Sequence, residues 1–542
     1  YAICPAGRAP DGWDGEIVVP FSPESLLSGV GRQVGPEDEL WYHRTFALPE
    51  GFQKRSSDRV LLHFGAVDQE CRVFVNGELA GEHRGGYLPF TLDITDILAE
   101  GENTLTAAVT DRTSKGPHAY GKQSFTPGGI WYTPQSGIWQ TVWLEAVPEN
   151  YIKSLRFTPL YDEKTARLQI EADRAEGANI VVRKAGEVIA EEWTDEKGEA
   201  AVLIQAEHFR PWSPDDPFLY DVTVTLGEDR VESYFALRKI SVVERQGQKV
   251  LALNDRPIFL SGVLDQGYWP DGLYTAPSDE ALVYDIQTMK DLGFNLLRKH
   301  IKIEPLRWYY HCDRLGILVW QDLVSGGSHM NPLVIQVLPF LGVHLRDWRH
   351  QLFGRGDEAG RDQFVQDLYD TVALLYNTPS LAAWVPFNEG WGQFDSLQIT
   401  QLLWEEDGTR LVDHASGWHD QGGGDFKSRH VYFHKVRLRP DGRRVLALTE
   451  FGGYSLPLPG HTASDREFGY RMYRGTEELT AAWRRLYEGE VIPHMERRGL
   501  SAAVYTQLSD VEEEVNGLLT YDRKVCKVDP AVVREINRRL RF

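Results

Sequence analysis

Two short strings put carboxylates where a folded chain rarely buries them without a use. Pro386-Phe387-Asn388-Glu389-Gly390-Trp391 follows the apolar run LAAWV, and Thr449-Glu450-Phe451-Gly452-Gly453 follows RVLAL. A carboxylate taken out of water is costly unless it is partnered. Paired carboxyl groups about 5–5.5 Å apart are what retaining cleavage of a glycosidic bond uses, one as nucleophile and one as acid/base. The two make opposite demands: the acid must keep its proton near neutrality, while the nucleophile must stay ionised. Trp391, Trp418, Tyr432 and Tyr505 fall at or near the ends of similar runs, where aromatic faces can stack on sugars. Core packing would serve any one of them equally well. Asp265, Gln266, His300, His419, Asp420 and His430 are candidates for binding hydroxyl groups. In His430-Val431-Tyr432 the period of two places the His and Tyr side chains on one face of a strand.

These residues need a scaffold that gathers strand ends. From about residue 244 strand and helix patterns alternate, as in a parallel α/β sheet. Eight strand candidates are IFLSGVLD, FNLLRKHI, GILVWQDL, LAAWVPFNE, RLVDHASGW, RHVYFHK, RVLALTEFG and LSAAVYTQLSD. Amphipathic stretches such as DEALVYDIQTMKDLG and DQFVQDLYDTVALLYN separate several of them. Eight such units predict a closed (β/α)8 barrel over 244–542, with its chemistry at the C-terminal strand ends. Strands four and seven then lie across the axis from each other, and Glu389 faces Glu450 over the mouth.

The region before the barrel is all-β. LWYHRTFALP, RVLLHFGAV, CRVFVNGELAG and NTLTAAVTD, punctuated by Asn76-Gly77 and Gly85-Gly86, predict a β-sandwich over 1–148. About seven alternating strands over 149–243 fit an immunoglobulin-like sandwich that acts as a spacer.

With 42% hydrophobic residues in 542, the chain can build several cores. The net charge of -21 argues against nucleic acid or an anionic membrane as a partner and suits a neutral carbohydrate. A homo-oligomer stays open. Cys4, Cys71, Cys312 and Cys526 show no metal-knuckle spacing or disulfide framework. They weakly favour a reducing, cytoplasmic setting. The start YAICPAGRAPDGW has neither a basic end nor an apolar signal core, although a chain lacking its initiator Met can have lost a signal peptide. No metal and no cofactor is expected.

The Asn-Glu pair closing strand four and the Glu-Phe-Gly closing strand seven, 61 residues apart, resemble the Glu-Glu barrel hydrolases. Over nearly its whole length the chain resembles glycoside hydrolase family 2, which includes β-galactosidases, β-glucuronidases and β-mannosidases. FVNGELAGEHRGGYLPFTLDIT and SGIWQTVWLE resemble its first domain, and GVLDQGYWP, DLGFNLLRKH, WYYHCDRLGILVWQD, WVPFNEGWG and LTEFGG resemble its barrel. The resemblance implies a jelly-roll sandwich, an immunoglobulin-like sandwich and a (β/α)8 barrel, in that order. It also implies that Glu389 is the acid/base, that Glu450 is the nucleophile and that Asn388 donates to the sugar 2-hydroxyl. His300 matches a sugar-binding histidine, although Arg298-Lys299-His300-Ile301-Lys302 departs from the family's Arg-x-Ser-His-Tyr-Pro. The loop 116–135 is expected over the barrel mouth, with Trp131 or Tyr132 closing the pocket, and the long segment 325–361 on the leaving-group side.

The sugar is less well marked. The stretch Glu514-Val515-Asn516-Gly517 lacks the Lys of the Asn-x-Lys element by which family glucuronidases grip a uronate. Glu512, Glu513 and Glu514 would repel such a substrate or form a solvated loop. No Glu-x-His element precedes Glu389 as a magnesium site. Family frequency makes a β-galactoside the first expectation, with β-mannoside, galactofuranoside and arabinoside open. A non-catalytic carbohydrate-binding protein and a transglycosylase are the rival readings.

Overall fold

The computed structural model describes residues 1–542 other than 54, 56 and 329, and of residue 340 the backbone alone. The chain forms two compact units. One comprises Tyr1–Arg112, Gln135–Arg238 and Tyr376–Pro379, and the other Thr113–Pro134, Lys239–Leu375 and Ser380–Phe542.

The first unit holds two sandwiches. In the first, strands Ala2–Pro5, Asp38–Ala47, Glu102–Thr110, Glu70–Val75 and Glu78–Arg84 form an antiparallel sheet in that order. A second sheet orders Val142–Val147, Arg59–Phe64 and Phe90–Asp93. Alternate residues such as Val60, Phe64, Val73 and Val75 are fully buried between the sheets. Asn76 and Gly77 both take positive φ, 54° and 81°, the backbone a tight two-residue hairpin requires. In the second sandwich, Ser154–Leu160, Thr165–Glu171 and Glu199–Leu203 form one sheet, and Glu187–Trp193, Asn179–Lys184, Tyr220–Leu226 and Asp229–Phe235 the other. Leu168, Ile180, Val182 and Val224 are completely buried in its core.

The second unit is the barrel. Its strands are β1 (Leu260–Asp265), β2 (Leu296–Lys299), β3 (Leu318–Asp322), β4 (Leu381–Val385), β5 (Leu411–Val412), β6 (Phe426–Val431), β7 (Val445–Gly452) and β8 (Leu500–Thr506). They hydrogen-bond in the order β5-β4-β3-β2-β1-β8-β7-β6, every pair parallel. β5 and β6, the two ends of this order, are stitched instead by Asp425 N–H donating to Val412 O at 2.8 Å and Ser428 Oγ donating to Asp413 Oδ1 at 2.8 Å. Helices α1 (Asp279–Asp291), α2 (Leu306–Leu315), α3 (Glu358–Leu375) and α4 (Ser396–Glu406) link β1 through β5. α5 (Thr476–Leu486) and α6 (Ile492–Arg498) lie between β7 and β8, and α7 (Pro530–Arg539) follows β8. Ser278 caps α1 by accepting from Ala281 N, and Gly316 ends α2 in the left-handed region.

The β6 strand begins at Phe426, three residues earlier than the RHVYFHK pattern suggests, so Tyr432 lies just past its end. The parallel ladders shift register between Arg429 and His430, and between Leu448 and Phe451. Such irregularities re-aim side chains, and here they fall at His430 and Glu450. No helix among the described residues is long and apolar enough to cross a membrane.

Candidate active site

Glu450 leaves β7 into a setting rich in donors. Arg298, fully buried at the end of β2, donates from Nη1 to Glu450 Oε1 at 3.1 Å. The same guanidinium grips Asp322 at the end of β3 with two bonds, 2.9 and 3.1 Å, and donates from Nη2 to Asn388 Oδ1 at 2.9 Å. The Tyr432 hydroxyl donates to Glu450 Oε2 and lies 3.2 Å from Thr506 Oγ1. Burial pushes the Glu450 carboxyl up, but the charges of His430 and Arg298 outweigh it and hold the group below the usual carboxylate range. A carboxylate kept ionised in a dry pocket is suited to attack carbon.

Glu389 has a poorer setting. It sits just past β4 at φ 54°, a left-handed conformation that is rare for this residue type, held by its N–H donating to Ser416 O at 3.0 Å. Its Oε1 lies 2.8 Å from His430 Nδ1, and His430 Nε2 is 3.1 Å from Ser416 Oγ. Burial raises the Glu389 carboxyl, His430 offsets part of that, and the negative Glu450 raises it again. A carboxyl whose pKa is raised in this way is suited to donate to a leaving oxygen.

Glu389, His430 and Glu450 bring one oxygen or nitrogen each within 4.8 Å of one another. That closest approach is compatible with the separation of about 5–5.5 Å in a pair flanking one carbon. Among the described residues these same three side chains form the cluster that could enclose a cation. A cation there would occupy the space between the two carboxylates.

Several buried groups around the pair have no partner among the described residues. His300 gives Nδ1 to Asp322 Oδ2 at 2.7 Å, and its Nε2 is unpaired. Burial, aided by the Lys122 charge, holds His300 well below its usual pKa, so the ring is neutral and Nε2 presents a lone pair. The Asn388 Nδ2 and Gln266 Nε2 amides are likewise unpaired. Trp418 is half-buried with its ring 6.3 Å from His430.

The segment Thr113–Pro134 departs from the first sandwich and belongs to the barrel unit. Tyr120 and Gly121 N–H groups donate to Ser325 O beyond β3. A Cβ at Gly326 would lie 1.9 Å from His118 O, so only glycine permits this approach. At the other side Gly129 N donates to Glu513, Thr133 N to Glu512, and the Tyr132 hydroxyl to Glu514. The acidic run is therefore not a solvated loop. Its carboxylates fasten this segment, and Glu514 is 1% exposed. Trp131 stacks on Trp391 at 5.2 Å. Lys122 is buried, its Nζ 5.6 Å from both the Trp391 and Tyr132 rings.

Three expected ligands of the sugar are engaged elsewhere. Tyr505 points to the helix side of β8, against Phe451, Trp483 and Tyr487, whose packing it shares; its neighbour Thr506 faces the pocket. His419 spends both ring nitrogens on backbone, accepting from Leu345 N at 3.1 Å and pairing with Val334 O at 3.0 Å, and so pins the 325–361 segment. Asp265 is committed to Lys299 Nζ at 2.7 Å and Gly267 N at 2.9 Å, within a buried Asp265–Lys299–Glu304–Lys302 network. Arg298, Asp322 and Lys122, in contrast, are central here without having been singled out as site residues. Arg298 and Asp322 are strand-end charges after apolar runs, the signal that marks Glu389 and Glu450.

The chain matches three family models: "Glycosyl hydrolases family 2, sugar binding domain" at 32–148, "Glycosyl hydrolases family 2" at 150–238, and "Glycosyl hydrolases family 2, TIM barrel domain" at 243–434. A protein named β-galactosidase from Thermoanaerobacter pseudethanolicus is 28% identical over 308 residues, 54% of this chain and 40% of that protein. A putative β-glucuronidase from Formosa agariphila is 26% identical over 369 residues, 64% and 39% respectively. The aligned part thus spans about two-fifths of these relatives' own lengths. Among solved structures, the β-D-glucuronidase of Dictyoglomus thermophilum superposes with a TM-score of 0.76 at 17% identity, over 99% of this chain and 95% of that one. A jelly-roll sandwich, an immunoglobulin-like sandwich and a barrel agree with those matches along most of the sequence. The chain belongs to glycosyl hydrolases family 2.

Proposed function

We propose that the protein is a retaining exo-glycosidase working by double displacement, with Glu450 as nucleophile and Glu389 as acid/base. The observation that carries this reading is the pair itself: carboxyl oxygens within 4.8 Å, one lowered by Arg298 as well as His430 and the other raised by burial and by its negative neighbour. In the first step a Glu450 oxygen attacks the anomeric carbon while Glu389 passes its proton to the glycosidic oxygen. The aglycone leaves as an alcohol and a glycosyl ester forms. In the second, Glu389, now ionised, takes a proton from water as the water oxygen displaces Glu450 from that carbon. Asn388 Nδ2 and His300 Nε2 are free to bind hydroxyls, and the Asn388 contact gains strength as positive charge develops on the ring.

For the sugar, a galacto-configured glycone comes first, in keeping with the name of the Thermoanaerobacter relative, and a glucuronide second, in keeping with that from Formosa. The test is a panel of aryl glycosides with the first-formed anomer followed by proton NMR. Release of the sugar with its anomeric configuration kept is the expected result. An inverted first product would exclude the nucleophile assignment. Binding of sugars without cleavage of any panel member would favour the carbohydrate-binding reading.

A further inference from the structure

The barrel unit contains four buried lysines: Lys122, Lys299, Lys302 and Lys527. Three of them have carboxylate partners. Lys299 holds Asp265 and Glu304, Lys302 holds Glu304, and Lys527 holds Asp510 at 2.6 Å. Lys122, only 6% exposed, makes no hydrogen bond or ion pair among the described residues, and its ammonium lies over two aromatic rings. One of those rings, Trp391, is two residues from Glu389. The segment that carries Lys122 is tied to the loop after β3 and to the loop after β8, and so runs past the ends of β2 and β1, where His300 and Gln266 keep unpaired nitrogens. The Lys122 charge also acts on His300, Asp322, Glu389 and Glu450. An ammonium with no hydrogen-bond acceptor among the described residues keeps its donors available to an anionic ligand.

We propose that Lys122 is the anchor for an anionic group on the terminal sugar, the carboxylate of a uronic acid or a sulfate ester, making this protein selective for acidic glycosides. The proposal rests on the retaining-glycosidase reading for its catalytic consequence. The Glu512–Glu514 carboxylates are turned to Thr133, Gly129 and Tyr132, which they bind. The cation comes from the first-domain segment and not from the loop after β8. There Asn516 binds Glu514 and Gln507, and the nearby Lys527 is neutralised by Asp510. Aromatic flanks suit this role, because they hold the ammonium in place without accepting the hydrogen bonds that an anionic ligand would accept.

The experiment compares 4-nitrophenyl β-D-galactoside with the β-D-galacturonide, the β-D-glucuronide and the 6-sulfo-β-D-galactoside, in the intact chain and in K122M and K122R. At least one acidic glycoside should exceed the neutral one at least tenfold in kcat/KM. K122M should collapse that ratio a hundredfold or more, mainly through KM, and K122R should restore part of it. The preferred acid distinguishes a carboxylate from a sulfate. A neutral preference in the intact chain overturns the proposal. So does an equal fall for neutral and acidic substrates in K122M with a displaced acidic limb, which would make Lys122 a counter-charge for Glu450. Thermal shift with free galacturonate, glucuronate, galactose 6-sulfate and galactose gives a readout that needs no turnover. Lys122-dependent stabilisation by an acidic sugar supports the anchor even if no glycoside is cleaved, a result that would remove the glycosidase reading alone. No such stabilisation in a folded, intact chain overturns the anchor.

Discussion

Glu389 and Glu450 face each other from β4 and β7, both buried, both at the end of an apolar strand, and the two rims around them differ. Glu450 receives Arg298 and Tyr432 directly, with Asp322 holding the guanidinium in place. Among the described residues Glu389 has one side-chain hydrogen-bond partner, His430, and a strained backbone. Desolvation acts on both carboxyls with the same sign. What separates them is the supply of compensating charge, which turns two identical side chains into an ion and an acid. His430, 2.8 Å from one and 3.7 Å from the other, is the point where the two rims meet.

The sharpest way to break the comparison is to neutralise each side in turn. E450Q should lose on the order of 10^4-fold or more in kcat, since no other group can form the glycosyl ester. E389Q should lose roughly 10^2–10^4-fold on substrates with poor leaving groups and much less on dinitrophenyl glycosides, whose departure needs no proton. Azide should rescue E389A to a β-glycosyl azide and E450A to the opposite anomer, read by NMR. Equal behaviour of the two variants across leaving groups would erase the distinction. The alkaline limb of the pH profile reports Glu389, whose raised pKa means that activity falls as rising pH removes its proton. That limb should vanish in E389Q.

Stripping the charge from the Glu450 rim should cost stability as well as rate. R298M leaves Asp322 and Glu450 buried without their cation, and about 3–5 kcal/mol of folding stability should go with it, measurable by urea unfolding. Y432F is milder. It removes one hydrogen bond to a charged group, about 1.5–3 kcal/mol and so roughly ten- to a hundredfold in kcat. Since that bond favours the ionised form, its loss raises the Glu450 pKa, and the acidic limb should move to higher pH. An unmoved limb would mean that Arg298 alone sets the ion. The smallest effect is expected on the Glu389 rim: W131A removes the ring stacked on Trp391, about 0.5–1.5 kcal/mol, and should raise KM a few-fold with kcat nearly unchanged.

The sequence made the barrel, the two sandwiches and the carboxylate pair readable because each leaves a local trace: apolar runs, turn dipeptides, and a charge at a strand end. His430 and Tyr432 were readable for the same reason, and both reach the carboxylates. Tyr505 was misread because β8 is buried on both faces, so hydrophobicity does not reveal which residues point inward. His419 was misread because its role depends on a backbone segment 74 to 85 positions away, Leu345 and Val334. Lys122 left no trace in its own neighbourhood. Its place depends on a segment of one domain being fastened to the loops of another, and the only hint was the unexplained acidic run at Glu512–Glu514.

That fastening has a consequence for how the gene can be divided. The working barrel is not one contiguous stretch: Thr113–Pro134 is part of it, although more than a hundred residues of sandwich intervene before Lys239. A recombination event that exchanged the barrel at the linker would leave this strip behind, along with its tryptophan and its lysine. Inheritance of sugar preference should therefore follow the pair, strip and barrel together, and a swap of the strip alone is the smallest graft that could carry a new specificity into an otherwise unchanged catalyst.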